Sequence, residues 1–321
     1  MINMMFKFKE PSIKTKETMA DVALNGSNKD YKNSIISKIK NLTNHKHVEI
    51  TNSGNASIFI ALSAVGDNIT IPNQGAWHGF KQISKCLNKN ITLLKTEYGI
   101  INPDDITELE DESSLILTSF AGYTGEQNLK EISKICREKS ITLIEDASAG
   151  IGDRKNKLGN GKYSDIILTS TGSPKIINAG SGGIISTNNP KIFEKTKIQQ
   201  KIVKPNEIIL SGIDVELENV GKKLEDTITA SSYLKNKLDD VIHQNKRGLN
   251  VIIKDPKPKD ISWNLKQELK INKSGFITKC PNYNRVKEKA IAIEIKNLDY
   301  DCLKKDKLNH IIETVEKYKN N

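Results

Sequence analysis

Two ionisable residues in this chain have the type and position to do covalent chemistry. Asp146 closes the apolar run ITLIED, and Lys175 follows the apolar run DIILTS through the bend Thr171-Gly172-Ser173-Pro174. Each stands just past the carboxyl end of a short strand, the edge at which open α/β sheets hold their ligands. A lysine amine condenses with carbonyl groups as a Schiff base when it is held where it can lose a proton. Pro174 restricts the backbone before Lys175, and Ile176-Ile177 anchor it afterwards, so the amine can be aimed. A carboxylate such as Asp146, set against a pyridine nitrogen, keeps that nitrogen protonated and makes the ring an electron sink.

A phosphate has candidate donors nearby in the pattern. The run VEIT ends at Thr51 and turns through Asn52-Ser53-Gly54-Asn55 into an apolar helix. The free N–H groups and partial positive charge of such a helix start suit a phosphate, although an ordinary loop with an ordinary N-cap reads the same way. Ser170 and Ser173 add hydroxyl donors. Trp77 lies past the strand ITIP, where its ring can stack on a planar ligand or serve as a core or interface residue. His78 beside it can exchange a proton or simply be hydrogen-bonded. Together these parts fit pyridoxal phosphate, with a glycine-rich return, Gly180-Ser181-Gly182-Gly183, behind the lysine.

The elements that must position these residues alternate. Strands are expected at VEIT, ITIP, ITLLK, LILTSF, ITLIE, DIILTS and GIIST. Helices are expected from Tyr31 to Leu42, after Ser57, from about Asn73 to Leu87, and from Glu126 to Lys139. Strands apolar on both faces and separated by helices predict a mainly parallel sheet covered on both sides, an α/β fold. A long helical pattern runs from Asp214 to His243. Short strands (VIIK, AIAIEI) and a closing amphipathic helix, Leu303 to Tyr318, predict a small α+β domain at the end. The expected division is a large domain over 1–247, including a polar, irregular arm over 1–30, and a small domain over 248–321.

Composition narrows the class. With 321 residues and no apolar run long enough to cross a bilayer, the chain reads as a soluble cytoplasmic protein. The start, MINMMFKFKEP, lacks a sustained apolar core and so does not read as a secretory signal. Four cysteines without zinc-ligand spacing are expected to be buried and reduced, with no metal site. His45-Lys46-His47 reads as a solvated pair. The net charge of +10 is spread along the chain with few interleaved aromatics, a pattern that disfavours nucleic acid as a partner.

Residues 48–200 resemble the DegT/DnrJ/EryC1/StrS family of sugar aminotransferases, a divergent match within the fold-type I pyridoxal-phosphate enzymes. Gly54-Asn55-Ala56, Glu145-Asp146-Ala147-Ser148, Ser170 to Lys175 and Gly180 to Gly183 correspond in order to its helix start, acid strand, lysine turn and glycine return. The resemblance implies a seven-stranded-type sheet, a homodimer, and a cofactor held by Lys175, Asp146, Ser170, Gly54, Asn55 and Trp77. Lys175 and Asp146 would be the catalytic pair. It also implies transfer of an amino group from an amino acid, such as glutamate, to a keto-sugar nucleotide or another small carbonyl compound. The dimer interface is expected at residues 1–30 and the helix after Asp214.

Three departures from the family pattern stand out. Ala149 replaces a glutamine near the ring hydroxyl. Asp214 and Glu216 replace an asparagine and an arginine that reach a neighbouring subunit's phosphate, and two acids there are expected to repel it. These changes leave open a different pyridoxal reaction, of the lyase or decarboxylase type, and a non-catalytic binding protein on the same scaffold.

Overall fold

The structure is a computed structural model that describes residues 5–27 and 29–319. Strands β1 (His47–Thr51), β2 (Asn68–Pro72), β3 (Asn90–Leu94) and β4 (Ser114–Thr118) are followed by a short hairpin of β5 (Phe120–Ala121) and β6 (Gly125–Glu126). Then come β7 (Thr142–Asp146), β8 (Ile166–Ser170) and β9 (Gly183–Thr187). Seven of these form one sheet in the order β1-β9-β8-β7-β4-β2-β3. Strand β9 runs antiparallel to both its neighbours, and the run β8-β7-β4-β2-β3 is parallel throughout.

The double-sided apolar strands have a direct structural cause. Leu115, Leu117, Leu143 and Ile167 point into one core, whereas Ile116, Ile144, Ile166 and Leu168 point into another on the opposite face. Alternate side chains leave a strand on opposite sides, so a sheet covered twice needs both sets apolar. Tyr31–Thr43 and Leu129–Glu138 cover the first face, and Gly54–Ala64 and Gly79–Cys86 the second.

The second unit is a three-stranded antiparallel sheet, β10 (Val251–Lys254), β11 (Ile277–Cys280) and β12 (Ala290–Ile293), in the order β10-β12-β11. Helices Pro258–Glu268 and Lys305–Lys319 pack on it around Leu265, Ile291, Ile311 and Val315. Phe6, from the start of the chain, is fully buried in this core, and its segment bridges Ile271 and Leu298. The helix Val220–Lys235 joins the units: Val220 and Leu224 pack in the large core, Ala230 and Leu234 in the small one.

Several local expectations are corrected. Of the arm expected to be irregular over 1–30, residues 1–4 and Asn28 lie outside the described residues, and Ile13–Asn25 is a helix capped by Ser12. It buries only Thr15 and Val22, so it carries too little apolar periodicity to be read from sequence. The pattern from Asp214 to His243 is two helices, Glu207–Glu216 and Val220–Lys235, joined by one 3₁₀ turn. His45 is buried, where Ser186 Oγ lies 2.9 Å from Nδ1 and the Ser164 carbonyl 3.1 Å from Nε2. Cys136, Cys280 and Cys302 are buried, but Cys86 is exposed. Among the described residues no helix is long and apolar enough to cross a membrane.

Candidate active site

The carboxyl edge of the large sheet gathers its loops around one cavity of about 260 Å³. Gly54, Asn55, Trp77, Asp146, Ser170 and Lys175 all line it. They arrive from four separate strand ends, after β1, β2, β7 and β8, so the fold alone brings them together. A larger cavity of about 690 Å³ lies at the opposite edge, around His45 and Asp165, and contains none of these residues.

One wall is built by Ser53, Gly54 and Ser170. The Ser53 hydroxyl accepts from Ala56 N at 3.2 Å and caps the helix Gly54–Ala64, whose first N–H groups have no partner within the helix. Ser170 closes β8 directly against that helix start. A Cβ added to Gly54 would sit 2.5 Å from Ser170 Cβ and 2.8 Å from its Oγ. Only a glycine lets the helix start and the serine approach so closely, and the result is a cradle of backbone and hydroxyl donors.

Asp146 is held by its neighbour. Its Oδ1 accepts from Ser148 N at 3.0 Å and from the Ser148 hydroxyl, while the same Ser148 Oγ accepts from Ser170 N at 2.8 Å. Ser148 therefore ties the acid to the phosphate-type wall. Glu145, one residue earlier, points the other way and is fully buried, accepting from Ser119 Oγ (2.6 Å), Gly159 N (2.9 Å) and Ser164 Oγ (2.7 Å). Burial pushes its carboxyl up, against the pull of those donors. Ala149 is buried in the large core and offers no polar side chain.

Trp77 is 41% exposed, which places it at the mouth rather than in the core, and its Nε1 donates to Asn55 Oδ1 at 3.0 Å. His78 donates its backbone N–H to Asn284 Oδ1, sets its ring edge-on to Tyr283, and does not line the cavity.

Lys175 has a partner that the sequence does not announce. Its Nζ lies 2.7 Å from the Tyr123 hydroxyl, on the loop between β5 and β6. Burial pulls the Lys175 ammonium down, but Tyr123 and Asp146 outweigh it and hold the group above the ordinary lysine value. The Tyr123 ring also meets the Arg285 guanidinium at 4.9 Å and the Lys296 ammonium at 4.7 Å. Both cations come from the small unit and share the buried Glu294, to which Arg285 donates twice, at 2.7 and 2.8 Å. In sequence the one cue is the position of Tyr123 just past the run LILTSF; in the structure its φ is +62°, a conformation uncommon for a tyrosine.

Asp214 and Glu216, expected to meet a neighbouring subunit's phosphate, do not line this chain's own cavity. Asp214 accepts from Lys29, Lys38 and Ser34, each at 2.6 Å. Glu216 pairs with Lys223 and accepts from Thr15 Oγ1. Within the chain each acid is thus paired with lysine.

Residues 23–207 match the DegT/DnrJ/EryC1/StrS aminotransferase family. The chain belongs to that family. Residues 221–316 separately match the MJ1341 family C-terminal domain. Among curated relatives, the dTDP-4-dehydro-2,3,6-trideoxy-D-glucose 4-aminotransferase of Saccharopolyspora spinosa is 22% identical over 160 residues, covering 47% of this chain and 41% of that protein. The UDP-4-amino-4,6-dideoxy-N-acetyl-beta-L-altrosamine transaminase of Campylobacter jejuni is 25% identical over 239 residues, covering 66% and 62%. The chain thus spans less than two thirds of the length of these relatives. NtdA of Bacillus subtilis, solved with bound cofactor PMP, superposes with a TM-score of 0.68 at 15% identity over 96% of this chain and 82% of that one. The fold is that of the fold-type I enzymes, whose cofactor is pyridoxal phosphate, and the residues present fit it. The Gly54–Ser170 cradle suits the phosphate, Asp146 the ring nitrogen and Lys175 the aldehyde.

Proposed function

We propose that this family member is an aminotransferase that moves an amino group from an amino acid, glutamate being the first candidate, to a keto-sugar nucleotide or another small carbonyl compound. The observation that carries the reading is the convergence of Lys175, Asp146 and the Gly54–Ser170 cradle on one cavity. The relatives named for nucleotide-sugar substrates support the acceptor class.

Bound in this cavity, pyridoxal phosphate supplies an aldehyde for an amino group and a ring that takes up the electron pair left when a neighbouring C–H bond breaks. The protein's own groups do the rest. Ser170 Oγ and the N–H groups at the start of the helix Gly54–Ala64 bind the phosphate. Asp146, oriented by Ser148, holds a proton on the ring nitrogen. Trp77 covers the mouth and limits water. Lys175 Nζ would be the amine that takes the aldehyde, and it would carry a proton as general base and acid. Tyr123 Oη orients that amine.

The same reading includes a homodimer in the cytoplasm and a division at residues 247 and 248. Ile13, Leu24, Ile198 and Ile202 are large apolar side chains left exposed on the single chain, which supports an interface between copies. Strand β10 opening the second sheet at Val251 supports the division.

Borohydride trapping of the purified protein with pyridoxal phosphate, followed by peptide mapping, tests the cofactor role: the label is expected on Lys175. A donor screen follows 2-oxoglutarate release from glutamate. A label on another lysine overturns the site. A Lys175 label without stoichiometric keto acid overturns transamination in favour of a lyase-type reaction.

A further inference from the structure

A second cavity, of about 340 Å³, lies behind the lysine turn, where the chain's first segment passes between the two units. Lys9, Asn178 and Tyr300 line it. They are three of the five residues that hold buried side-chain nitrogen or oxygen atoms without a hydrogen-bond partner among the described residues. The atoms are Lys9 Nζ, both Asn178 amide atoms, and the Tyr300 hydroxyl. Lys9 is 1% exposed and Asn178 2%. Buried polar groups are nearly always paired, because leaving one unpaired forfeits its interaction with water. Three such residues on one cavity are therefore a concentration of unmet donors and acceptors that calls for an occupant.

The chemistry of that occupant follows from the atoms. Lys9 Nζ lies 4.7 Å from the centroid of the Tyr300 ring, so ammonium and phenol sit together. Three acids line the same cavity and are already engaged: Glu216 is paired with the neighbouring Lys223 and accepts from Thr15, Glu10 is paired with Lys16 at 2.6 Å and Lys273 at 2.8 Å, and Asp299 Oδ1 accepts from Asp301 N at 3.0 Å. Burial and the Lys223 charge bring the Lys9 amine down to about 7, against the smaller pull of Asp299 and Glu216. An arriving anion would recharge it. Lys9 and Tyr300 need acceptor oxygens. Asn178 needs an acceptor for its N–H groups and a donor for its carbonyl oxygen. A carboxylate supplies acceptors only, whereas a hydrogen phosphate carries acceptor oxygens and a P–OH on one small tetrahedron.

We propose that this cavity binds a hydrogen phosphate group, free or as a small monoester, through Lys9, Asn178 and Tyr300. The site lies apart from the Gly54–Ser170 cradle, and the two cavities share no lining residue. It is nevertheless coupled to the catalytic amine. Asn178 belongs to the turn that carries Lys175, and the Lys296 amine, held well below its ordinary value chiefly by burial, feels both Lys175 and Lys9. Occupation fixes that turn from behind.

Calorimetric titration of the pyridoxal-phosphate-loaded protein with orthophosphate, and separately with glycerol 3-phosphate, tests the site. Binding of at least one is expected, and the stronger of the two identifies the free anion or the ester as the source. Lys9→Met is expected to weaken it about tenfold or more by removing a charge-assisted hydrogen bond, and Tyr300→Phe to weaken it less. Lys9→Met also removes a buried unpaired amine, so the variant should fold at least as stably as the parent. No binding of either probe overturns the proposal. So does binding that survives both substitutions, and so does binding that Ser170→Ala abolishes while Lys9→Met leaves it intact, since that behaviour belongs to the cofactor cradle.

Discussion

The Tyr123 hydroxyl lies 2.7 Å from the Lys175 amine, although the two residues sit on different loops of the large unit. The Tyr123 backbone carbonyl accepts from both Leu249 N (2.7 Å) and Asn250 N (3.0 Å), so the segment leading into the small unit fixes the phenol in place. The next carbonyl, that of Thr124, accepts from the buried Lys235 amine at 2.5 Å. The residue that aims the lysine is thus itself held by the end of the connecting helix and the segment that follows it.

Tyr123→Phe keeps the ring and its cation contacts and removes one oxygen. Tyr123 raises Lys175 against burial, so the variant is expected to lower the pH at which the amine loses its proton. The pH profile of reductive labelling at Lys175 reads this directly, with turnover down by about 10²-fold as for a catalytic group left out of position. An unchanged profile would falsify the assigned role.

Gly54→Ala separates helix propensity from site geometry. At a helix position alanine is worth up to about 1 kcal/mol over glycine, so a purely local effect would stabilise the protein. The new Cβ, however, meets Ser170 Cβ at 2.5 Å. We expect a lower melting temperature and cofactor affinity reduced by about tenfold, measured by equilibrium dialysis; tighter binding or a raised melting temperature contradicts the cradle.

His45 gives the fold an acid-sensitive point remote from the chemistry. Burial brings its imidazole down from 6.5 to about 4, despite hydrogen bonds to Ser164 and Ser186. A depressed histidine value means that the stability it contributes is complete above pH 6.5 and is lost as the pH falls toward 4, by about 3 kcal/mol at most. His45→Asn should flatten that slope in urea titrations run at several pH values. Parallel curves for parent and variant would count against it.

Asp214→Asn should destabilise the protein by about 2 kcal/mol, because Lys29 and Lys38 then share a site with no counter-charge and one partner is half exposed. Urea unfolding measures the loss. The direction of the Asp214 shift, downward in spite of burial because Lys29, Lys38 and Ser34 bond the carboxylate, places this stability above the carboxylate range, to be lost as the pH falls through it.

What could be read from the chain follows from how many constraints each segment carries. The runs around Ile116, Ile144 and Ile167 are apolar on both faces because two cores claim them, and such runs are visible without coordinates. The motif residues at Gly54, Asp146, Ser170 and Lys175 stand at strand ends, so locating the strands also located them. The helix Ile13–Asn25 and strand β11, with Thr278 half-buried and Lys279 exposed, bury too little to leave a pattern. Tyr123 and the counter-ions of Asp214 were hidden for another reason. Their meaning lies in partners far away along the chain, Lys175 in one case, Lys29 and Lys38 in the other, and spacing alone does not join them.

The helix Val220–Lys235 ties the two units together mechanically. It is a single shaft socketed at each end in a different hydrophobic interior. Torque on either half is handed to the other, because a helix resists bending unless a proline or an inserted group breaks its ladder. Swinging of the smaller half is therefore opposed by both interiors at once. Trp77, at the rim of the Lys175 cavity, is tied to the larger half alone through Asn55.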